Sequence, residues 1–324
     1  INEYTAANYN NYQDNYNEYE DWVEFYNPTT ANIDLDGYFL SDKDQNLTKW
    51  QFTGSFIVPA NGHAVVFFSG RDELAGEAHT NYKLHQTKGN EWIILTNPNG
   101  VTVEDSVWVK RCQANHSRGR DINGSNNWGV FDTPTPNANN INSFLGYAEK
   151  PVFSSLGGYY NGSVNVDINS TSVTNTIYYT DNGDFPTNAS NLYTNQLTFN
   201  NTTILKARSY STNPQILPGF IEFHTYFIND NHTLPIISIS GSDVDNLLGG
   251  NQWIEPFGTF EIFDPNGQLI DKNRGQYNKH GNDSWAYAQR GFDYIVRDQL
   301  GYGHEVEGEI FRDKNRDGFQ RLIV

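Results

Sequence analysis

Two short stretches of this 324-residue chain carry residue types that could do chemistry. The first, HGNDSWAYAQRGFDY, runs from His280 to Tyr294 and joins a glycine turn, a polar cluster and an aromatic run alternating with charge. It poses a choice between a phosphate grip and the corner of a β-sheet. The second, DKNRDG (313–318), has the start of a calcium loop: Asp313, Asn315 and Asp317 at alternate positions, then Gly318 for the sharp turn. The twelfth loop position would be Val324, where an EF-hand needs Glu, and no flanking helix is expected. A charged β-turn is the competing reading. The eight His show neither HExxH nor His-x-His spacing, which argues against zinc. No Gly-x-Ser-x-Gly elbow occurs, and the single Cys112 beside Arg111 is weak support for a thiol nucleophile. A third stretch, NYNNYQDNYNEYEDW (8–22), offers rings that could stack on sugars and Asn and Asp that could reach hydroxyls. Its competing reading is an extended, solvent-facing leader into the first strand.

The elements that must position these residues read as strands. HAVVFFSG, EWIILTNPNG, VTVEDSVWV, TIYYTDNG and TILKARSY are short β-branched and aromatic runs ending in turn residues. Asn97-Pro98-Asn99-Gly100 predicts a hairpin turn. Helical periodicity is rare. SDVDNLLGG (242–250) predicts one short helix, with Ser242 as N-cap and Gly249 as terminator. Phe292, Tyr294 and Val296 alternate, so the second half of the first stretch reads as strand. Its turn, Gly281-Asn282-Asp283-Ser284, leaves Trp285, Tyr287 and Phe292 to pack. Two linkers, 131–151 and 229–235, divide the chain into about 1–140, 150–229 and 233–324. The first two segments have the size and strand spacing of β-sandwiches.

Composition bounds the function. Aromatics make up 15% of the chain, with 20 Tyr and 20 Phe, enough large side chains for several small cores. A net charge of −17 argues against nucleic acid or an anionic bilayer as partner. No run reaches the ~18 apolar residues of a membrane span. With one Cys there is no internal disulfide, and with no Met and an opening Ile1 the expectation is a processed, extracellular piece whose leader has been removed. The apolar pattern FQRLIV at 319–324 predicts a strand that needs a pairing partner, and the expectation is either that the chain is truncated there or that another chain covers the open edge.

Three resemblances follow from residues in order. YEDWVEFYNPTTANIDLDGYFLSD (19–42), KWQFTGSFIVPANGHAVVFFSG (49–70), HTNYKLHQTKGNEWIILTNPNGVTVEDSV (79–107) and SRGRDINGSNNWGVFDTPTPNANN (117–140) resemble the lamin-tail domain of bacterial surface proteins, which implies an immunoglobulin-like sandwich. TIYYTDNGDFPTNASNLYTNQLTFNNTTILKARSYS (176–211) and FHTYFIN (223–229) resemble the C-terminal β-sandwich of chitobiases and hexosaminidases, an accessory module. LPIISISGSDVDNLL (234–248), GTFEIFDPNGQLI (258–270), KHGNDSWAYAQRGFDYIVRDQLGYG (279–303) and FQRLIV resemble the first part of a CotH-type domain, an atypical secreted protein kinase. The module order resembles that of secreted Bacteroidetes-like proteins.

The third resemblance implies ATP with Mg²⁺ or Mn²⁺ and makes Lys279 and Arg290 the phosphate candidates. Ala288-Gln289-Arg290 stands where that family commonly shows Pro-Lys-Lys, so the two-lysine cluster is lost. The family's acidic catalytic residues fall mostly downstream of this stretch, so no catalytic residue is assigned. The expected fold is mainly β: two tandem Ig-like sandwiches followed by a partial α+β CotH-type portion. The expected function is an exported surface protein whose modules serve adhesion or structure, or contact glycans or other surface proteins, without catalysis. The alternatives are the N-terminal part of a secreted kinase and an assembly component pairing through its C-terminal strand edge. Ca²⁺ at 313–317 is the one metal the residues themselves suggest.

Overall fold

The computed structural model describes residues 1–172, 174–311 and 315–324. Strands take up 39% of the chain and helix 3%, the mainly β class that the short β-branched and aromatic runs dictate. The chain forms two compact units, residues 1–145 with 298–301, and residues 146–297 with 302–324.

The first unit is a sandwich. Its larger sheet runs Trp128–Phe131, Ser117–Arg120, Glu3–Thr5, Asp21–Tyr26, His63–Phe68 and Ala78–His79, antiparallel except for the last pair. The facing sheet runs Val103–Trp108, Trp92–Thr96, Phe39–Ser41 and Trp50–Gln51. The expected hairpin turn closes the first two of these, with Gly100 at φ 72° donating its N–H to the Asn97 carbonyl at 2.9 Å. Strand alternation decides what each face holds. From Asp21–Tyr26, Val23 and Phe25 enter the core with Tyr4, Leu40, Phe52, Val66, Phe68 and Ile93. Trp22 and Glu24, out of phase with them, face the other side, where Trp22 packs with Val65 and Phe67.

That outer face is covered by loops. Tyr12 stacks on Phe67 at 5.7 Å and meets Trp22 edge-on at 6.0 Å. Asn8 Nδ2 donates to the Tyr12 and Glu20 carbonyls at 2.7 and 2.8 Å, and the Tyr16 hydroxyl donates to Glu73 at 2.5 Å. Residues 8–20 are therefore an ordered cover and not an extended leader, because Trp22 and Phe67 are too large to leave wet. Residues 135–140, from the Pro- and Asn-rich stretch, seal the rest.

They do so over Glu3 and Glu24, which face each other across two neighbouring strands and are both buried. Glu3 accepts from the Ser117 hydroxyl, from Thr135 N at 3.0 Å and from Thr135 Oγ1 at 2.6 Å. Glu24 accepts from Asn2 Nδ2 at 2.9 Å and Asn137 N at 2.6 Å. Burial raises both carboxyls, against these donors, and pushes Glu24 up to about 8.

The second unit holds two five-stranded sheets. One runs Gly158–Tyr160, Glu222–Ile228, Thr203–Ser211, Asn175–Thr180 and Asn191–Leu192, with Phe153, Val166, Ile177, Leu205 and Tyr226 in its core. The other runs Ile236–Ser240, Phe257–Phe263, Leu269–Lys279, Phe292–Val296 and Arg321–Ile323, all antiparallel. Phe260 stacks on Tyr294 at 4.4 Å in its core. The C-terminal apolar run pairs within the chain: Phe292 and Val324 exchange two backbone hydrogen bonds of 2.8 and 2.9 Å. Its other side is a sheet edge.

The short helix is Val244–Leu248, ended by Gly249 as expected. Ser242 is not its N-cap. Asp243 holds that position, its carboxylate accepting from Asn246 Nδ2 at 3.0 Å and from no helix N–H, and Val244 N–H is satisfied by the Gly241 carbonyl at 3.1 Å, which leaves the Ser242 hydroxyl to face elsewhere. Among the described residues no helix is long and apolar enough to cross a membrane.

Candidate functional site

Lys279 ends the Leu269–Lys279 strand, and Arg290 precedes the Phe292–Val296 strand that pairs with it. The loop between them closes on Trp285, whose Nε1 donates to the His280 and Gly291 carbonyls, both at 3.1 Å. Lys279 Nζ and the Arg290 guanidinium each lie 5.7 Å from the Trp285 ring centre. The structure thus brings the two phosphate candidates to one ring. Both also serve the fold: Lys279 bonds Gln252 and, at 3.2 Å, Asn282, while Arg290 Nη1 donates to the Leu248 carbonyl at 2.6 Å, at the helix end. Among the described residues Arg290 Nε is buried without a hydrogen-bond partner. Of the aromatics expected to pack, Phe292 is buried and Trp285 half-buried, but Tyr287 is exposed. A one-turn 3₁₀ segment, Asp283–Ala286, carries it outward.

Of the calcium candidates, Asn315 and Asp317 are exposed in the loop that joins the Val306–Glu307 and Gly318–Phe319 strands; Asp313 lies outside the described residues. Among the described residues no three His, Cys, Asp or Glu side chains gather as a metal site would require.

Two constellations escape sequence reasoning. The first is buried. Glu222, His224 and Tyr226 alternate along one strand, so Glu222 and His224 share a face. Lys272 and Lys150 both pair with Glu222; burial pushes that carboxyl up, but the two cations outweigh it and hold it below its usual range. His224 Nδ1 accepts from Gly157 N at 3.1 Å, and its Nε2 lies 3.2 Å from Lys272 Nζ. Glu261 accepts from Thr225 N at 3.2 Å and Thr225 Oγ1 at 2.5 Å. Every charge here is spent on a neighbour, so the network ties strands together and leaves no base aimed at solvent. The polar residues inside the apolar run IEFHTYFI were its visible signal.

The second is an open cleft of about 420 Å³. One wall is the turn after Asn175–Thr180. Thr180 Oγ1 donates to the Asp184 carbonyl at 2.6 Å, and Asn182 Nδ2 to Asp184 Oδ2 at 2.7 Å. Gly183 takes φ 84° and lies so close to Ser240 that a Cβ would come within 3.1 Å. A side chain at that position would meet both strain and a neighbour. Ser190 and Asn191 form the second wall, Ser242 the third, and Phe185 the apolar patch. The Asp181, Asn191 and Ser242 side chains have no hydrogen-bond partner in the chain among the described residues. Behind the cleft, Lys206 Nζ lies 4.2 Å and the Arg274 guanidinium 4.4 Å from the Phe185 ring centre. Lys206 is fully buried; burial, and then Arg274, lower its amine to about 7.

A comparison with curated proteins finds no match. Family models match two parts of the chain. Residues 1–110 match the Lamin Tail Domain, and residues 155–214 match the Chitobiase/beta-hexosaminidase C-terminal domain. The chain therefore carries a lamin-tail domain of immunoglobulin-like type, followed by a chitobiase-type domain.

Proposed function

We propose that the chain belongs to an exported, extracellular or cell-surface protein whose β-modules act as structural or adhesion units and contact glycans, without catalysis of their own. The observation that carries this reading is the pairing of a lamin-tail domain with a chitobiase-type domain in one chain. Its acidic surface, with a net charge of −17, suits partners that are neutral or cationic. The direct test presents the full chain to a glycan array and to isolated cell-wall material. Retention on a carbohydrate or on a surface protein is the expected outcome; retention on neither refutes the reading.

A second reading draws on the convergence of Lys279 and Arg290 on Trp285. In it, residues 233–324 are the first part of a CotH-type kinase domain, and the two cations meet ATP phosphates. Thermal shift of the protein translated from the full reading frame, with ATP and Mg²⁺ or Mn²⁺, decides it: stabilisation supports a nucleotide site and its absence removes it. Adding Ca²⁺ alone to the same protein tests the 313–317 loop.

A further inference from the structure

The cleft around Phe185 has the chemistry of a subsite for one kind of ligand. Its lining is mostly polar, unlike the apolar pockets that hold drug-like molecules. The groups left unpaired are a carboxylate on Asp181, an amide on Asn191 and a hydroxyl on Ser242, all exposed. Together with Asp184 they can accept and donate several hydrogen bonds over a short span, which matches the closely spaced hydroxyls of a sugar ring. Phe185 supplies an apolar patch beside them for the ring carbons. Among the described residues the lining holds two carboxylates and no lysine or arginine, and the nearest cations, Lys206 and Arg274, are packed on the Phe185 ring, so a sulfated or carboxylated sugar finds no cation to pair with directly. The wall that carries Asp181 is stiff, because two internal hydrogen bonds and Gly183 fix its turn. A preformed wall orders little on binding, which lowers the entropic cost of a weak ligand.

We infer that this cleft, formed by the 180–185 turn, Asn191 and Ser242, binds a neutral pyranose unit of a glycan. The inference rests on the glycan-contact reading and assigns it a place. Asp181 accepts hydrogen bonds from hydroxyls of the sugar, Asn191 both donates and accepts, and Ser242 closes the third side.

The test uses the full chain and four neutral probes, cellopentaose, chitopentaose, mannopentaose and xylopentaose, with oligogalacturonate as the anionic comparison. Affinity is read by calorimetry, and the location by ¹H–¹⁵N shifts of the Asn182 and Asn191 side-chain amides. At least one neutral probe binds and moves those amides, and oligogalacturonate binds more weakly. Asp181→Ala and Asn191→Ala each weaken binding fivefold or more while far-UV circular dichroism stays unchanged. These residues are exposed, so the variants keep the core; the shifts in the unaltered chain report independently of them. Neutral-sugar binding that both variants retain, with Asn182 and Asn191 unmoved, overturns the assignment but leaves glycan contact standing. No binding of any carbohydrate sinks both. Binding that EDTA abolishes, with Ca²⁺ alone moving the same amides, also overturns it and makes the cleft a cation site.

Discussion

The buried pair Glu3 and Glu24 makes the first unit's stability depend on pH in a direction that can be worked out. Glu24 has its ordinary carboxyl value, 4.5, in the unfolded chain and about 8 in the folded one, chiefly through burial and then through Glu3 beside it. Between those values the unfolded carboxylate is ionised while the folded one keeps its proton. The folded state then binds more protons, so stability falls as pH rises through this window and is fully present below it. At about 1.4 kcal/mol per pH unit, the span from 4.5 to about 8 sets an upper bound of about 5 kcal/mol. Every partner of Glu24 described above is an N–H donor, and the loop that supplies Asn137 N is exposed on its far side and can relax. We therefore expect roughly 2–3 kcal/mol to be lost between pH 5 and 8.

The perturbation is Glu24→Gln, which cannot ionise. The assay is hydrogen exchange of the Glu3–Thr5 and Asp21–Tyr26 amides in the full chain, corrected for the intrinsic rate and converted to opening free energies. Glu3, Asp21 and Glu91 are also raised by burial and stay in the variant, so the informative quantity is the difference between the two slopes. The absolute stability of the variant does not enter, although Gln must turn an N–H toward one of the donors. Unaltered chain and variant should diverge by the expected 2–3 kcal/mol across the window. Parallel slopes, or a natural chain that gains stability from pH 5 to 8, refute the reasoning.

Three further perturbations probe other parts of the fold. Lys206→Met should flatten the pH dependence of the second unit: between about 7 and 10.5 the unfolded lysine holds a proton that the folded one has lost, so stability of the natural chain rises with pH there. Calorimetry of the full chain at pH 7 and 9 reads it, and a transition that moves equally in both proteins counts against it. Gly275→Ala should cost about 1–3 kcal/mol, because its Cβ would stand 2.3 Å from the Ile295 carbonyl and 2.6 Å from the Tyr294 ring; an unchanged melting temperature contradicts that packing. Tyr12→Ala should cost about 1–3 kcal/mol by uncovering Trp22 and Phe67, seen as faster exchange in Asp21–Tyr26 and His63–Phe68. Unchanged exchange there means that residues 8–20 do not cover this face.

What the residues reveal in advance is set by range. Strands such as His63–Phe68 and Thr203–Ser211 are legible because β-branched and aromatic runs bounded by turn residues are local signals. The hairpin at Gly100 is legible for the same reason. Ser242 fails as a cap because the first helical N–H finds a backbone carbonyl, a competition that composition does not reveal. Residues 8–20 and 135–140 look like leader and linker because polar, Asn-rich stretches usually are solvated. Their docking depends on Trp22, Phe67, Glu3 and Glu24 facing outward from one sheet, which only the pairing of distant strands establishes.

The same limit governs the sites. Lys279 and Arg290 are eleven residues apart and come together through one hairpin, so a single loop closure suffices to join them. The cleft needs more. Asp181 and Asn191 meet through one hairpin, but Ser242 arrives from the turn after the Ile236–Ser240 strand, more than fifty residues on, held by the close approach of Gly183 to Ser240. The His224 network works similarly: Glu222 finds Lys150 upstream and Lys272 downstream. In this chain the 229–235 stretch marks a change of composition, yet buried charge is neutralised across it. Removing one partner of such a network strands the others in low dielectric, which makes residues 146–297 with 302–324 cohere as one unit energetically as well as geometrically.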